Sequence, residues 1–354
     1  MLKRILPALL VLLAILVLVA CGDDDDETPD GDPSASGSPA PGVSIGASAG
    51  AVRESVTFMA GFKPQANLPF VGVYVAQEKG FFEEENLDVD IQHVATPGDN
   101  FRLLATGEVQ FSTADATALL EKWVSDPVLP VVSIALVGQT GQQGFAVLED
   151  SGIAAPADWA GKTVGYKGSA VTPDYLAIVA ANGVDRSTIT EVKVGFEPQL
   201  LTEGAVDIFP VFLSNEPDTL RRLGFETTLF TAADYGAPTL GLTYVAMEDY
   251  LVDNAEVARR FVRAAMRGIE YADDNRDEAI DIVMEYAPQE DPAHQRYMLD
   301  IELDQSRVGL GAGVDTGTQI IEQWQLLHDY LIQYGGLAAP IEDVNRVFRA
   351  GLLE

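Results

Sequence analysis

The stretch that decides the fold runs from residue 56 to residue 94 and reads VTFMAGFKPQANLPFVGVYVAQEKGFFEEENLDVDIQHV. It opens with the strand-like run Val56–Phe62, continues as a helical pattern from Pro69 to Glu84, and ends in Val89–Val94, where apolar and polar residues alternate. Alternation is typical of strands, and apolar residues three or four apart are typical of helices. We therefore predict a strand–helix–strand unit, the building block of a parallel sheet.

The same unit recurs along the chain. Further strands are predicted at 109–113, 128–137, 145–148, 163–166, 191–196, 206–212, 228–230 and 240–247. From Asn254, read as an N-cap, the chain becomes almost wholly helical, with a last helix over 341–350. This order predicts an α/β fold with open, largely parallel sheets in two lobes and a cleft between them. Lobe 1 comprises residues 53–142 and 239–354, and lobe 2 comprises residues 143–238.

The N-terminus has the order of a secretory signal. Lys3 and Arg4 precede an apolar segment that ends in Leu18-Val19-Ala20-Cys21. This segment is shorter than the roughly 20 residues of a membrane-spanning helix, so we expect a signal peptide over residues 1–20. Leu-Val-Ala-Cys resembles the lipobox of bacterial lipoproteins. That resemblance implies cleavage before Cys21, acylation of its sulfur with a lipid such as palmitate, and a location on the extracytoplasmic face of the cell membrane. An uncleaved anchor is the alternative.

Residues 21–52 differ in composition from the rest of the chain. They are rich in Asp, Pro, Gly, Ser and Ala and contain little that a core could bury. Such composition predicts a disordered linker, extended by its prolines and charges. We expect the linker to hold the folded body away from the bilayer.

Composition excludes several classes of function. The chain has 354 residues, 47% of them hydrophobic, and a formal net charge of −32. We expect no nucleic-acid binding, because contact with phosphates needs clustered Lys and Arg. Cys21 is the only cysteine and there are three histidines, so we expect no disulfide, no metal site and no cofactor. We further expect a monomer.

Candidate ligand-binding residues follow the predicted strands, because ligands of open parallel sheets bind beyond the carboxyl ends of the strands. An aromatic sandwich is expected from Phe62 with a tyrosine, for which Tyr175 is chosen over Tyr74 and Tyr235. Asp115 is either a hydrogen-bond acceptor or a helix cap, and Asn215 is either a contact or a cap before Pro217. The full candidate set is Phe62, Asn67, Asp115, Gln142, Tyr175, Asn215 and Glu216.

The stretch Gly165-Tyr166-Lys167-Gly168-Ser169 carries two interpretations. It is either a cradle for an anion at a helix N-terminus or a tight strand-to-helix turn. It lacks the spacing of a phosphate-binding Walker loop. No nucleophile stands beside a base in the candidate loops, so we expect a binding protein and not an enzyme.

Four motifs resemble the solute-binding proteins of the thiamine-precursor, pyrimidine synthase-like family. The first is Asn67–Phe82, with its Ala-Gln-Glu-Lys-Gly-Phe-Phe run, which the wider group of alkanesulfonate, taurine and nitrate binders shares. The others are Leu103–Phe111, Asp158–Tyr166, and Gly204–Asp207 followed by Asn215-Glu216-Pro217. The similarity covers about residues 55–270. Two positions depart from the pyrimidine binders, which often carry Trp where Phe62 stands and Asp where Gly61 stands.

The resemblance implies a type II periplasmic-binding fold that delivers a small ligand to the permease of an ABC importer. Relatives bind heteroaromatic ligands, and the overall pattern favours riboflavin. A thiamine pyrimidine precursor is the nearest alternative. A sulfonate or nitrate would need a basic pocket, for which only Lys63 and Lys167 are placed. An extracytoplasmic sensor or a pyrimidine-synthase-like enzyme would be a different class, and this chain lacks the cysteine-rich motif and the iron-binding histidine of that enzyme.

Overall fold

A computed structural model describes residues 53–96, 98–311 and 313–353. The predicted signal peptide, Cys21 and the linker lie outside these described residues. Within the described part, no helix combines the length and the apolar character that a bilayer crossing requires.

Ten strands and eleven helices make up the described residues. The strands are β1 Glu54–Ala60, β2 Leu87–His93, β3 Phe111–Asp115, β4 Val131–Leu136, β5 Gln143–Leu148, β6 Thr163–Tyr166, β7 Thr190–Lys193, β8 Phe209–Phe212, β9 Thr227–Thr231 and β10 Leu242–Met247. The helices are α1 Leu68–Glu78, α2 Phe81–Glu84, α3 Asp99–Thr106, α4 Ala116–Trp123, α5 Pro173–Ala181, α6 Gln199–Thr202, α7 Glu216–Arg222, α8 Glu248–Asp274, α9 Arg276–Tyr286, α10 Pro292–Gln305 and α11 Ile321–Gln333.

Lobe 1 is built on a five-stranded sheet in the order β2-β1-β3-β10-β4. β1 runs parallel to β2 and β3, whereas β10 runs antiparallel to β3 and β4. Helix α8 covers this sheet with Phe261, whose ring stacks on Phe111 at 4.3 Å and on Phe58 at 5.8 Å between ring centroids. Burial of these large rings is a major source of stability for the lobe.

Lobe 2 holds two small sheets, an antiparallel β8-β5-β9 sheet and a parallel β6-β7 pair. The expectation of a largely parallel sheet is wrong here. Apolar periodicity predicts that a strand exists, but it does not specify the direction of the neighbouring strand. The core contains Phe145, Trp159 and Phe230 in edge-to-face contact.

Two segments cross between the lobes, one from β4 to β5 and one from β9 to β10. They contact each other directly, because the amide of Gly241 donates to the carbonyl oxygen of Gly138 at 2.9 Å. A Cβ on Gly138 would lie 2.7 Å from the Leu242 nitrogen, and one on Gly241 would lie 2.7 Å from the Thr140 oxygen. Both positions need glycine, since only glycine permits backbones to approach so closely.

The C-terminal region differs from the sequence prediction at two points. Helix α8 begins at Glu248, and Asn254 sits at a kink within it, with φ −124° and its side chain donating to the Tyr250 oxygen at 2.9 Å. The non-helical backbone of Asn254 thus separates two helical segments at the residue where the sequence predicts a helix to begin, but its side chain donates to the preceding turn. The helix predicted over 341–350 is reduced to a 3₁₀ turn at Val344–Val347, after which Arg349 donates its amide to the Ser133 oxygen in β4 at 2.8 Å. The chain end thus pairs with the lobe 1 sheet.

Candidate functional site

Polar side chains of the two lobes meet along a set of direct contacts, which we call the junction. It is formed by the pairs Ser214–Glu302, Asn215–His294, Asp218–His294, Asp291–Arg222 and Asp174–Tyr330. Each pair joins a residue between 174 and 222 to one between 291 and 330. Two of the predicted ligand residues, Asn67 and Gln142, contact the groups of the first pair.

Glu302, on α10, lies at the centre of the junction with 1% of its surface exposed. Its carboxylate accepts from the Leu68 amide at 2.5 Å, from Asn67 Nδ2 at 2.6 Å and from Ser214 Oγ at 3.0 Å. Burial raises the pKa of Glu302 to about 7, while hydrogen bonds from these donors and from Gln142 oppose the rise. The sequence analysis missed Glu302, because it lies inside a helix far from any predicted strand end.

Asn67 and Gln142 are oriented by this cluster. Asn67 is buried, and its Oδ1 accepts from Gln65 Nε2 at 2.5 Å while its Nδ2 donates to Glu302. Gln142 is buried on the first crossing segment, and its Oε1 lies 3.4 Å from Ser214 Oγ. The structure therefore brings these two predicted site residues to one carboxylate.

Glu216 and Lys167 form a second polar cluster, within lobe 2. Lys167 Nζ lies 2.5 Å from Glu216 Oε1, and Glu216 Oε2 accepts from the Phe212 amide at 2.7 Å. Glu216 is buried, whereas the Lys167 side chain keeps one fifth of its surface exposed. Because Glu216 follows Ser214 by two residues, the clusters around Glu216 and Glu302 are neighbours along the chain.

Asn215 stands at the N-cap position of α7, but its side chain makes no capping hydrogen bond. Its Oδ1 instead lies 3.0 Å from His294 Nε2, and the other ring nitrogen of His294 contacts Asp218 Oδ2 at 2.7 Å. Burial opposes the charge on Asp218, yet hydrogen bonds from His294, Arg222 and Arg221 hold its pKa below the ordinary value. Asn215 thus connects α7 to α10 across the junction.

Phe62 follows β1 and has 38% of its surface exposed. Its carbonyl oxygen accepts from His93 Nδ1 at 2.8 Å, and His93 Nε2 lies 2.8 Å from the Tyr74 hydroxyl. The carbonyl contact requires the proton on Nδ1, and in the neutral ring the Tyr74 hydroxyl then donates to Nε2. Burial lowers the pKa of His93 and favours the same form. His93 was placed outside the candidate loops, although it supports the backbone of Phe62.

Asp115 ends β3 and caps α4, accepting from the Thr117 amide at 2.9 Å. Of its two predicted roles, the structure shows the cap. Burial raises its pKa to about 7, and the Thr117 hydrogen bond opposes that rise. A carboxylic acid with this pKa exchanges a proton near neutral pH.

Tyr175 is a core residue, and its selection as the stacking tyrosine is wrong. Its ring is 1% exposed and packs parallel to Trp159, with 6.2 Å between ring centroids, next to Phe145. The apolar residues of α5 fall at helical spacing, so the side that a tyrosine faces cannot be read from its position alone. Tyr74 is likewise buried, and it stacks on Tyr286 at 4.0 Å.

The Gly165–Ser169 stretch does not lead directly into a helix N-terminus. Helix α5 begins four residues later at Pro173, and the Thr172 side chain caps it by accepting from the Tyr175 amide at 3.3 Å. The interpretation as a turn is therefore the one that the structure supports.

Phe196 is an aromatic residue that the sequence analysis missed, because it was assigned to the end of a strand. The strand β7 ends at Lys193, and Phe196 lies in the loop beyond its carboxyl end with 68% of its surface exposed. Lys167 Nζ lies 5.2 Å from the centroid of the Phe196 ring and 5.1 Å from that of Phe209. Since β6 and β7 are parallel, Lys167 and Phe196 follow strand ends on the same sheet edge.

The arrangement provides hydrogen-bond acceptors, amides and exposed aromatic faces. Among the described residues, no group of three or more His, Cys, Asp or Glu side chains is placed to hold a metal ion. The junction holds carboxylates and amides, and the exposed rings of Phe62 and Phe196 follow β1 and β7.

Comparison with known proteins agrees with this geometry. A family model described as NMT1/THI5 like matches residues 67–279. The formylaminopyrimidine-binding protein of Halalkalibacterium halodurans is 29% identical over 303 residues, covering 83% of this chain and 90% of that protein. The riboflavin-binding protein RibY of Chloroflexus aurantiacus is 28% identical over 305 residues, covering 83% of this chain and 85% of that protein.

Solved structures show the same architecture. The periplasmic aliphatic sulphonate binding protein SsuA from Escherichia coli aligns with a TM-score of 0.64, covering 83% of this chain and 97% of that chain at 12% identity. At this identity the likeness concerns the fold alone. It confirms the predicted two-lobed α/β fold of periplasmic binding proteins.

Proposed function

Since the chain belongs to the NMT1/THI5-like family, we propose that it is the substrate-binding subunit of an ABC importer for a flat heteroaromatic vitamin. Riboflavin is the ligand we favour. The protein would capture the ligand between its lobes and present the closed form to a permease. We propose that it acts as a binding protein without catalysis.

The observation that carries this proposal is the meeting of both lobes at Glu302. Donors from lobe 1 (the Leu68 amide and Asn67) and from lobe 2 (Ser214) converge on one carboxylate. Only two crossing segments connect the lobes, and these contact each other through Gly138 and Gly241. Such a connection suits hinge closure around a small ligand.

An anionic ligand such as a sulfonate or nitrate is disfavoured by the charges of the site. The two cations placed to receive it are both neutralised by carboxylates, with Lys63 Nζ 2.5 Å from Glu290 Oε1 and Lys167 Nζ 2.5 Å from Glu216 Oε1. Above about pH 7, the ionised carboxylate of Glu302 adds repulsion at close range. A neutral ring with polar edges fits this environment better.

A thiamine pyrimidine precursor is the second candidate. The relative from Halalkalibacterium halodurans, named for binding a formylaminopyrimidine, supports it. The buried carboxylate of Glu216 and the side-chain amide oxygens of Asn67 and Gln142 are suitable acceptors for the amino and amide groups of such a ligand. This alternative leaves the importer role unchanged.

Binding of the two ligands is directly measurable. Titration of the purified full-length protein into riboflavin is expected to quench the flavin fluorescence at micromolar protein, and Phe62→Ala should weaken the binding. Mass spectrometry of the natively purified protein would identify a retained ligand. If calorimetry shows binding of formylaminopyrimidine and riboflavin fluorescence is not quenched, the pyrimidine precursor is the ligand and riboflavin is not. Binding of neither ligand would contradict the proposed ligand class.

We also propose that the protein is anchored by a lipid on Cys21 and works on the extracytoplasmic face of the cell membrane. Tethering through the linker would raise the local concentration of loaded protein beside the permease. Labelled palmitate should be incorporated by the wild type and lost in Cys21→Ser, with the protein released from the membrane fraction. Equal labelling of the two proteins would contradict the anchor.

A further inference from the structure

We propose that Glu302 is a positioning residue that determines ligand specificity. It accepts hydrogen bonds from the N–H and O–H groups of its neighbours in the junction, so that their oxygens are left as acceptors. The site then selects a ligand that brings its own N–H or O–H donors, and it rejects anions. This inference rests on the proposed function, because it concerns the ligand that the same site would take. It starts from a single buried carboxylate and the donors around it.

The carboxylate of Glu302 accepts the hydrogen bonds that its neighbours can donate. Ser214 has one hydroxyl proton, which is donated to Glu302 at 3.0 Å and leaves the Ser214 oxygen with lone pairs. The contact of Ser214 with Gln142 Oε1, at 3.4 Å, is longer, so the Ser214 hydroxyl donates to Glu302 and not to Gln142. The amide oxygen of Gln142 therefore keeps its acceptor capacity.

Hydrogen bonds also fix the orientation of the Asn67 side-chain amide. Its Nδ2 donates to Glu302 at 2.6 Å, and its Oδ1 accepts from Gln65 at 2.5 Å. A flip of the amide would place Oδ1 against the carboxylate and lose both hydrogen bonds. An amide oxygen has two lone pairs, so Asn67 Oδ1 has the capacity to accept a second hydrogen bond.

The charge of Glu302 has no cationic partner among the described residues. Its hydrogen-bond partners are the Leu68 amide, Asn67, Ser214 and Gln142, all of them neutral. The nearby cluster differs, because Glu216 is paired with Lys167. Above about pH 7, where Glu302 is ionised, a ligand anion approaching it would meet an unscreened like charge in a buried setting, which is unfavourable. A ligand that donates hydrogen bonds would instead meet the amide oxygens of Asn67 and Gln142.

The chemical class that fits is an uncharged heteroaromatic compound with ring N–H, amino or hydroxyl groups. Riboflavin and formylaminopyrimidine both belong to it, whereas riboflavin 5′-phosphate carries the same ring with an anionic group. The comparison of riboflavin with its phosphate therefore tests the charge selection without changing the ring.

The decisive variant is Glu302→Gln in the full-length protein, which retains the shape and removes the charge and one acceptor. At pH 8, where Glu302 is ionised in the wild type, we expect the dissociation constant for riboflavin to rise at least tenfold. The preference for riboflavin over riboflavin 5′-phosphate should fall at least threefold, a change that a purely structural role would not produce. Glu302→Asp, which keeps the charge, should retain the preference even if its affinity is reduced.

Glu248→Gln is the control, since Glu248 is a half-buried carboxylate that pairs with Arg346 at 2.6 Å, outside the junction. It should bind riboflavin as the wild type does. If Glu302→Gln fails to fold, Ser214→Ala tests the same inference and should raise the dissociation constant at least threefold. A wild type that binds riboflavin, together with variants within twofold of it in affinity and preference, would overturn the role of Glu302 alone. A wild type that binds neither riboflavin nor formylaminopyrimidine would overturn the proposed function, and this inference with it.

Discussion

Glu216 and Glu302 are two buried carboxylates in neighbouring clusters, and they are stabilised in different ways. Glu216 faces the Lys167 ammonium within lobe 2, whereas Glu302 is held by neutral donors from both lobes. An ion pair fixes a charge, because each partner stabilises the charged form of the other. A carboxylate held by neutral donors alone stays sensitive to whatever else enters its surroundings.

The difference assigns different tasks to the two clusters. The Lys167–Glu216 pair lies entirely in lobe 2 and can persist whether or not the lobes are in contact. The Glu302 cluster needs Ser214 from lobe 2 and Asn67 from lobe 1, so it is complete only while the lobes meet. Under the proposed function, lobe contact and ligand recognition would depend on the same carboxylate.

The largest effect is expected in the pH dependence of stability at Glu302. Its pKa is raised from an ordinary value of 4.5 to about 7 by burial. Because the folded state holds this proton more tightly than the unfolded state, the stabilisation is complete below about pH 4.5 and is lost as the pH rises through about 7. The full change is on the order of 3 kcal/mol.

Chemical denaturation of the wild type and Glu302→Gln between pH 4.5 and pH 8 measures this change. As the pH rises, the unfolding free energy of the wild type should fall relative to that of Glu302→Gln. Asp115 and Asp174, whose pKa values burial also raises, are present in both proteins and cancel in the difference. A difference that stays constant with pH would mean that Glu302 is no less solvated when folded than when unfolded.

The second-largest effect is expected at the Lys167–Glu216 ion pair of lobe 2. Lys167→Met leaves the buried Glu216 carboxylate with only the Phe212 amide, and we expect a loss of about 2 kcal/mol in the free energy of unfolding. Glu216→Gln should cost less, because the partly exposed Lys167 can turn toward water. Both values come from urea denaturation at pH 7.

Arg186→Met provides the control, since Arg186 forms a more exposed pair with Glu191, with half of the Arg186 side chain accessible. Exposed pairs contribute under about 1 kcal/mol. If Lys167→Met and Arg186→Met destabilised the protein equally, burial would not distinguish the Lys167–Glu216 pair, and the contrast with Glu302 would weaken.

Much of this fold could be predicted from the sequence, because the strands and helices have clear periodicity. The rule that ligands lie beyond strand ends selected Asn67, Gln142, Asn215 and Glu216, which the structure places in or beside the junction. The position of Tyr175 could not be found this way, since a helix presents aromatic residues to the core and to the cleft alike. Phe196 was missed for a related reason, because an apolar residue after a strand looks like its continuation.

Glu302 marks the limit of sequence reasoning for this chain. It is one of many acidic residues in an acidic protein, and it sits in a helix with ordinary polar neighbours. Its importance comes from tertiary contacts 234 and 88 positions away, to Leu68 and Ser214. Only the packing of α10 against both lobes reveals that one carboxylate serves them together.

The smallest effect is expected at Phe196, and it concerns ligand affinity alone. Lys167 Nζ lies over the Phe196 ring, so this residue tests whether the Lys167–Glu216 cluster of lobe 2 contributes to ligand binding. If its exposed ring stacks on the ligand, Phe196→Ala should raise the dissociation constant for riboflavin about tenfold, equivalent to about 1.4 kcal/mol. Stability should change little, because 68% of the residue is already exposed. Phe225→Ala is the control, since Phe225 is 38% exposed and lies after α7, outside the junction. Equal affinities for the two variants would leave Phe62 as the aromatic partner and would place recognition on the lobe 1 side, next to Asn67 and Glu302.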